Sequence, residues 1–316
     1  MLSRTAADLY WMSRYLERAE NLARMMDVSY SLSLMPQAGQ GNGLEELAMP
    51  LLITGTQEAY LQRHGALHAE NMPHFFALDE QNPASIYNCL ASARANAHAV
   101  RGRITTDMWE NINTSWLDMR HIAAQGLGKY GISRFCEWVK ERSHLFRGAT
   151  VGTIMRGDAY RFIRLGTFIE CADNTLRLLD ARYELLGEEV DTIDDRSAHA
   201  YYQWSALLRA LSSFEAFADI YRGSPRAGKV AELLLLRPEV PRSLRTCLEE
   251  IDRILSSLPG DNGRPAQRLA AELVAGVRYI TIEEVLQQGL HDSITRQIEH
   301  LHSLSNAIHS AYLEAA

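Results

Sequence analysis

The chain has 316 residues, with 32 Lys and Arg against 39 Asp and Glu, a formal net charge of −7. Its hydrophobic fraction of 47% excludes whole-chain disorder. The mild acidity argues against nucleic acid or an anionic membrane as a partner, because both need a basic surface. No apolar run approaches the roughly 18 residues of a membrane-spanning helix. Asp8 and Arg14 stand where a signal peptide needs apolar residues, so a cytoplasmic location is expected. Cys89, Cys136, Cys171 and Cys247 are far apart and form no C-x-x-C pair, so no structural zinc is expected. Their apolar helical surroundings predict buried thiols.

Nearly the whole chain reads as helix, since no alternating β-branched run of strand length occurs. A long amphipathic helix is predicted over residues 6–34, ended near Met35-Pro36 and the Gly-rich stretch 39–43. Short helices follow at 44–52 and 57–62, then an irregular excursion over 64–83. A helix over 84–103 precedes one capped by Thr106 or Asp107 and running to 125. Gly126-Leu-Gly128-Lys-Tyr-Gly131 lacks the strand context of a dinucleotide loop and reads as a turn. Ser133-x-x-Cys136 opens a helix to 146, and a second long helix covers 158–186. The acidic stretch 187–195 is a loop. Helices at 198–211, 214–222 and 227–236 come next, and Pro241 is placed as the first residue of a helix to 258. Residues 258–265 form a loop. Thr281-x-x-Glu284 is a capping-box pattern, and the last segment is helical to near the terminus. No linker divides the chain, so the expected fold is a single all-α domain of packed long helices over residues 1–316.

A diverged repeat runs through it. Residues 9–30 placed over 162–183 match at Glu17/Glu170, Ala19/Ala172, Asn21/Asn174, Arg24/Arg177, Asp27/Asp180 and Tyr30/Tyr183. Only one or two such identities are expected by chance, roughly, at ordinary composition. Two helical halves related by duplication, about 1–152 and 153–316, are therefore expected. At 100° per residue, Arg14, Glu17, Glu20, Asn21, Arg24 and Asp27 share one arc of the first helix, opposite Leu9, Met12, Leu16 and Met26. Glu170, Asp173, Asn174, Arg177 and Asp180 share the corresponding arc of the second. Three readings stand: a solvated face, a buried structural ion-pair network, or a ligand or catalytic surface. The recurrence of the same residue types at the same phases favours a specific role over simple polarity. Antiparallel packing of the two helices would set Glu17 near Arg177 and Arg24 near Glu170.

The opening Met1-Leu-Ser-Arg-Thr-Ala-Ala-Asp-Leu-Tyr-Trp-Met-Ser-Arg-Tyr-Leu-Glu-Arg-Ala-Glu-Asn-Leu-Ala-Arg24 resembles the signature of the bacterial alpha-E domain family. Arg94-Ala-Asn96, Trp109-Glu110-Asn-Ile-Asn113, residues 162–180 and 204–221, and Val240-Pro-Arg-Ser243 extend the resemblance. It implies a helical protein found in company with circularly permuted ATP-grasp proteins and transglutaminase-like peptidases, hence a system that handles amide-linked peptides. It assigns no reaction to the domain itself. The family-like polar positions are Arg14, Glu17, Arg18, Glu20 and Arg24, then Glu170 and Arg177. Cys171 stands where the Glu-Arg pattern would put arginine, and Thr167 aligns with Arg14.

The sequence carries little other chemistry. It has no H-E-x-x-H, no P-loop and no G-x-S-x-G. Glu141-Arg-Ser-His144 has the Glu-x-x-His spacing that a di-iron bundle uses twice, and no metal is expected from it. Trp11, Trp109, Trp116, Trp138 and Trp204 are expected in the core or at interfaces. No cofactor is expected. The candidate site is a polar groove of Arg14, Glu17, Arg18, Glu20, Asn21, Arg24, Glu170, Asn174 and Arg177, suited to an anionic peptide, an acyl intermediate or a partner's acidic surface. The expected function is that of a companion to an ATP-grasp-type peptide ligase. The alternative is an enzyme of amide metabolism with Glu17 or Glu170 as general base and arginine clamps.

Overall fold

The structure, a computed structural model, describes residues 1–33, 42–186 and 198–314, and every regular element among them is helical. The first half holds α1 (Ser3–Ser33), α2 (Asn42–Thr54), α3 (Gln57–His64), α4 (Met72–Ala77), α5 (Ile86–Ala99), α6 (Thr106–Gln125), α7 (Leu127–Tyr130) and α8 (Ile132–Thr153). Then come α9 (Asp158–Leu186), α10 (Ala198–Ala210), α11 (Phe214–Tyr221), α12 (Ala227–Leu236), α13 (Leu244–Ser257), α14 (Arg264–Tyr279), α15 (Ile282–Gln287) and α16 (Leu290–Ile308), which closes in the π-helical turn His309–Leu313.

The all-α expectation holds, and the differences lie at element ends. The cap of α6 is Thr105, not Thr106 or Asp107: its extended ψ of 161° lets its hydroxyl accept from the Met108 amide. The helix expected from Pro241 begins after Ser243, whose Oγ accepts from the Thr246 amide at 3.1 Å. Pro241 lies in the turn before it. The 64–83 excursion contains α4, and Gly126–Gly131 holds the single turn α7 between two glycines of positive φ. Such backbone is open to glycine and strained for other residues. α8 runs beyond 146 to Thr153. Thr281 and Glu284 do form a capping box, but Gly289 (φ 86°) separates α15 from α16. The loop expected over 187–195 and the helix end near 35–36 lie outside the described residues.

The chain divides into two compact units, Met1–Thr167 and Phe168–Ala316, with the boundary between residues 167 and 168 of α9. In the first, α1 packs on α5 and α8, and α6 packs on both of those, closing a ring of four helices. Leu9, Met12, Leu16, Leu22 and Met26 of α1 are buried in it, each contributing about 1.5–3 kcal/mol. Gly166, at the end of this unit, lies so close to α1 that a Cβ would collide with the Tyr10 carbonyl and the Ser13 hydroxyl. In the second unit α14 packs on α13 and α16, and α12 packs on α10, α13 and α15. Trp204 of α10 is fully buried there.

All four cysteines are buried thiols outside any disulfide. Burial pushes the Cys136 thiol well above its usual range. A thiol reagent such as Ellman's should therefore find essentially no reactive cysteine in the native chain and all four after denaturation. Rapid reaction of a native thiol would contradict this burial.

Candidate functional site

The polar stripe of α1 is not a solvated face. Glu17 is 3% exposed, Glu20 0% and Asn21 3%, because α5 and α8 cover α1 on more than its apolar side. A buried carboxylate needs charged or hydrogen-bonding partners. Glu20 has them on both oxygens. Its Oε1 accepts from Arg24 Nε at 2.9 Å, one helical turn away. Its Oε2 accepts from Ser143 Oγ at 2.6 Å and from Arg147, both on α8. The other guanidinium nitrogen of Arg147 stands 3.7 Å from Glu17, so one arginine bridges both buried glutamates. Arg24 Nη2 lies 3.2 Å from His144 Nε2. Arginine can only donate, so any hydrogen bond between them has Nε2 as acceptor. Arg14 takes a different place: its guanidinium lies over the rings of Trp11 (5.0 Å) and Tyr10 (5.6 Å). Arg18 lies over Tyr15 at 5.9 Å. Both cover aromatic faces of their own helix, as amphipathic cations do.

The second unit carries a matching set on α9. Arg177 Nε donates to Asp173 at 2.9 Å, and its Nη2 lies 3.1 Å from His302 Nε2 on α16. His302 is 3.7 Å from Asp173, as His144 is 3.7 Å from Glu20. Glu170 and Asn174 are buried, like Glu17 and Asn21. Cys171 replaces the arginine of the Glu-Arg pair, and Arg242, from the turn before α13, brings Nη1 to 3.6 Å from its sulfur. That guanidinium is itself buried, and Thr175 Oγ1 donates to the Arg242 carbonyl at 2.9 Å. A loop arginine thus lies beside the cysteine of the second helix.

Sequence reasoning missed Ser143, Arg147, His144, His302 and Arg242. One signal was present: Glu299-His-Leu-His302 on α16 repeats the Glu-x-x-His spacing of Glu141-Arg-Ser-His144 on α8. The pair does not build a di-iron centre within either unit. Glu141 and Glu299 are exposed, and each histidine has its Nε2 against an arginine instead.

Further along each helix sits an aspartate with a basic partner. Asp27 faces Lys140 Nζ at 3.2 Å, and Glu137 holds the same ammonium at 2.6 Å. Burial works to lower the Lys140 pKa, but Glu137 and Asp27 outweigh it and raise it. Asp180 faces His291 Nδ1 at 2.8 Å, and this hydrogen bond raises the histidine above its ordinary pKa. A raised histidine stabilises the fold below its unfolded pKa of about 6.5, and that stability is lost as pH rises through the higher folded value. His291 is nearly half exposed, so the effect is a few tenths of a kcal/mol. The small decline in stability across that window should disappear in His291→Ala, as read by urea titrations at matched pH.

A family model described as "a predicted alpha-helical domain with a conserved ER motif", Alpha-E, matches residues 1–313. The chain belongs to the Alpha-E family. Its two Glu-Arg pairs, 17–18 and 141–142, lie on α1 and α8, which pack together in the first unit. Uncharacterized proteins of Mycobacterium bovis and of two strains of Mycobacterium tuberculosis are 25% identical to this Alpha-E chain over 325 aligned positions. The alignment covers 95% of the chain and 35% of each relative, so the chain spans about a third of their length. No solved structure is significantly similar to it. Among the described residues no helix is long and apolar enough to cross a membrane.

Proposed function

We propose that this Alpha-E chain is a companion of an ATP-grasp-type peptide ligase system, working in the cytoplasm. It would present its arginine- and histidine-edged polar faces to an anionic peptide, an acyl intermediate or an acidic partner surface. The observation that carries this reading is the layering of the first-unit cluster. Glu17 and Glu20 are buried, while Arg24, Arg147 and His144 reach the surface around them with side chains 15%, 30% and 58% exposed. Buried carboxylates orient the arginines, and oriented guanidinium forks suit carboxylates and phosphates. The greater length of the mycobacterial relatives supports a role beside other domains. The family resemblance supplies the ATP-grasp partner and, more distantly, a transglutaminase-like peptidase.

The same burial weighs against the enzyme reading. A general base must reach its substrate's proton, whereas Glu17 and Glu170 are 3% and 5% exposed and Glu17 is engaged by Arg147. The matching clusters also support an origin of the two halves by duplication. Ser85 and Ser243 cap α5 and α13 alike, each two residues after a proline.

The test is to co-express the chain with an ATP-grasp-type ligase from the same genome, then to co-purify and to assay ATP-dependent amide formation with and without the chain. Co-purification, with activity that depends on the chain and falls in Arg177→Ala, is the expected result. Full ligase activity without the chain, and no association, would overturn the proposal.

A further inference from the structure

We propose that Asp180, Glu184 and His291 form a binding site for a divalent transition-metal ion of the zinc class. Asp180 and Glu184 lie one turn apart on the same face of α9, where like charges repel unless a cation sits between them. His291, the second residue of α16, places Nδ1 2.8 Å from Asp180 Oδ1 and 3.5 Å from Glu184 Oε1. The three donor atoms all lie within 4.8 Å of one another. Zinc bonds of about 2.0–2.2 Å at the tetrahedral angle set ligand atoms roughly 3.3–3.5 Å apart. Glu184 already stands at that spacing from the imidazole, and Asp180 needs to open by about half an ångström to reach it. One imidazole with two carboxylates suits zinc, cobalt or nickel better than magnesium or calcium, which take oxygen donors.

An independent observation points the same way. At the matching position of α1, Asp27 is met by Lys140, whose ammonium lies between Asp27 and Glu137. That position in the first unit carries a permanent cation between two carboxylates. In the second unit Ile298 aligns with Lys140 in sequence at an offset of 158, and Asp180 is met instead by His291, which can give up its proton and take a metal. On binding, Nδ1 would lose its proton to solvent and donate its lone pair to the ion, with the remaining ring proton on Nε2; no redox change is involved. His291 and Glu184 are about half exposed, leaving an open path for the ion and further coordination positions for water or a partner. This site is independent of the ligase reading.

The test is calorimetric titration of ZnCl2 into the untagged full chain, with His291→Ala and Asp180→Asn as site variants and His300→Ala as a control on a nearby exposed histidine. One zinc per chain, with Kd on the order of micromolar, is expected for the parent and for His300→Ala. Both site variants should weaken it by roughly tenfold or more, with unchanged circular dichroism. Co2+ should give visible absorption bands in the parent that His291→Ala loses. Affinity should fall as pH drops and the proton on His291 competes. No zinc uptake by the parent, or equal uptake by His291→Ala and Asp180→Asn, would overturn the proposal.

Discussion

Replacing Glu20 with alanine is expected to lower the unfolding free energy by about 3 kcal/mol. The change removes the acceptor of Arg24, Arg147 and Ser143 at once and leaves Glu17 and Asn21 in a site that excludes water. Stranding one side of a buried ion pair costs about 3–5 kcal/mol. Here the arginines are 15% and 30% exposed and recover part of their hydration, which places the effect at the low end. Urea unfolding followed by circular dichroism checks it. Glu20→Gln should cost less, because an amide oxygen still accepts from Ser143. A loss below about 0.5 kcal/mol for Glu20→Ala would be that of an ordinary surface position.

Gly166→Ala should cost about 2–3 kcal/mol, by overpacking. Helix propensity alone points the other way, since alanine is favoured over glycine inside a helix by about 1 kcal/mol. The added methyl has no room: it would meet the Tyr10 carbonyl and Ser13 Oγ, and the carbonyl, being backbone, cannot retreat without moving α1. Gly148→Ala on α8 is the matched control. It is exposed with open space around its Cβ direction, and should stabilise the chain by about 0.5–1 kcal/mol. Opposite signs for the two substitutions are the expected outcome, and thermal melts with urea titrations read both.

Local chemistry made much of the fold legible. The bounds of α9 and α12 follow from apolar periodicity and the polar stretches on either side, and the Thr281–Glu284 box marks its helix start because both halves of the cap lie within four residues. Where neighbouring residues compete for one cap, side-chain type does not decide. Thr105, Thr106 and Asp107 all suit the position, and the one with extended backbone takes it. Pro241 fits a helix start as well as it fits the turn before Ser243. Gly289 ends α15 through a positive φ that composition does not reveal.

The candidate site was legible only in part. Glu17, Glu20, Asn21 and Arg24 stand out on the helix wheel, but the wheel does not separate a wet stripe from a covered one. That distinction depends on α8, whose Ser143 and Arg147 lie more than 120 positions away in sequence. The second copy was harder still. The α1–α9 match runs at an offset of 153, whereas Ser85 with Ser243 and His144 with His302 match at 158. Connecting segments absorb such insertions at little energetic cost, so a comparison at one fixed offset finds the first helix and loses the rest. Arg242 was hidden for a related reason. Its partner Cys171 is 71 residues away, and only the fold brings this loop arginine to the helix cysteine.

The central claim is that the α1 stripe is a buried network in which α8 arginine neutralises α1 glutamate. The most direct measurement is a double-mutant cycle on Glu20 and Arg147, using Glu20→Gln, Arg147→Met and the pair, each unfolded in urea at low and high salt. The coupling free energy should be about 1.5–3 kcal/mol and change little with salt, because the pair is largely shielded from solvent. A coupling below about 0.5 kcal/mol that vanishes at high salt is the behaviour of an exposed pair, and would contradict it.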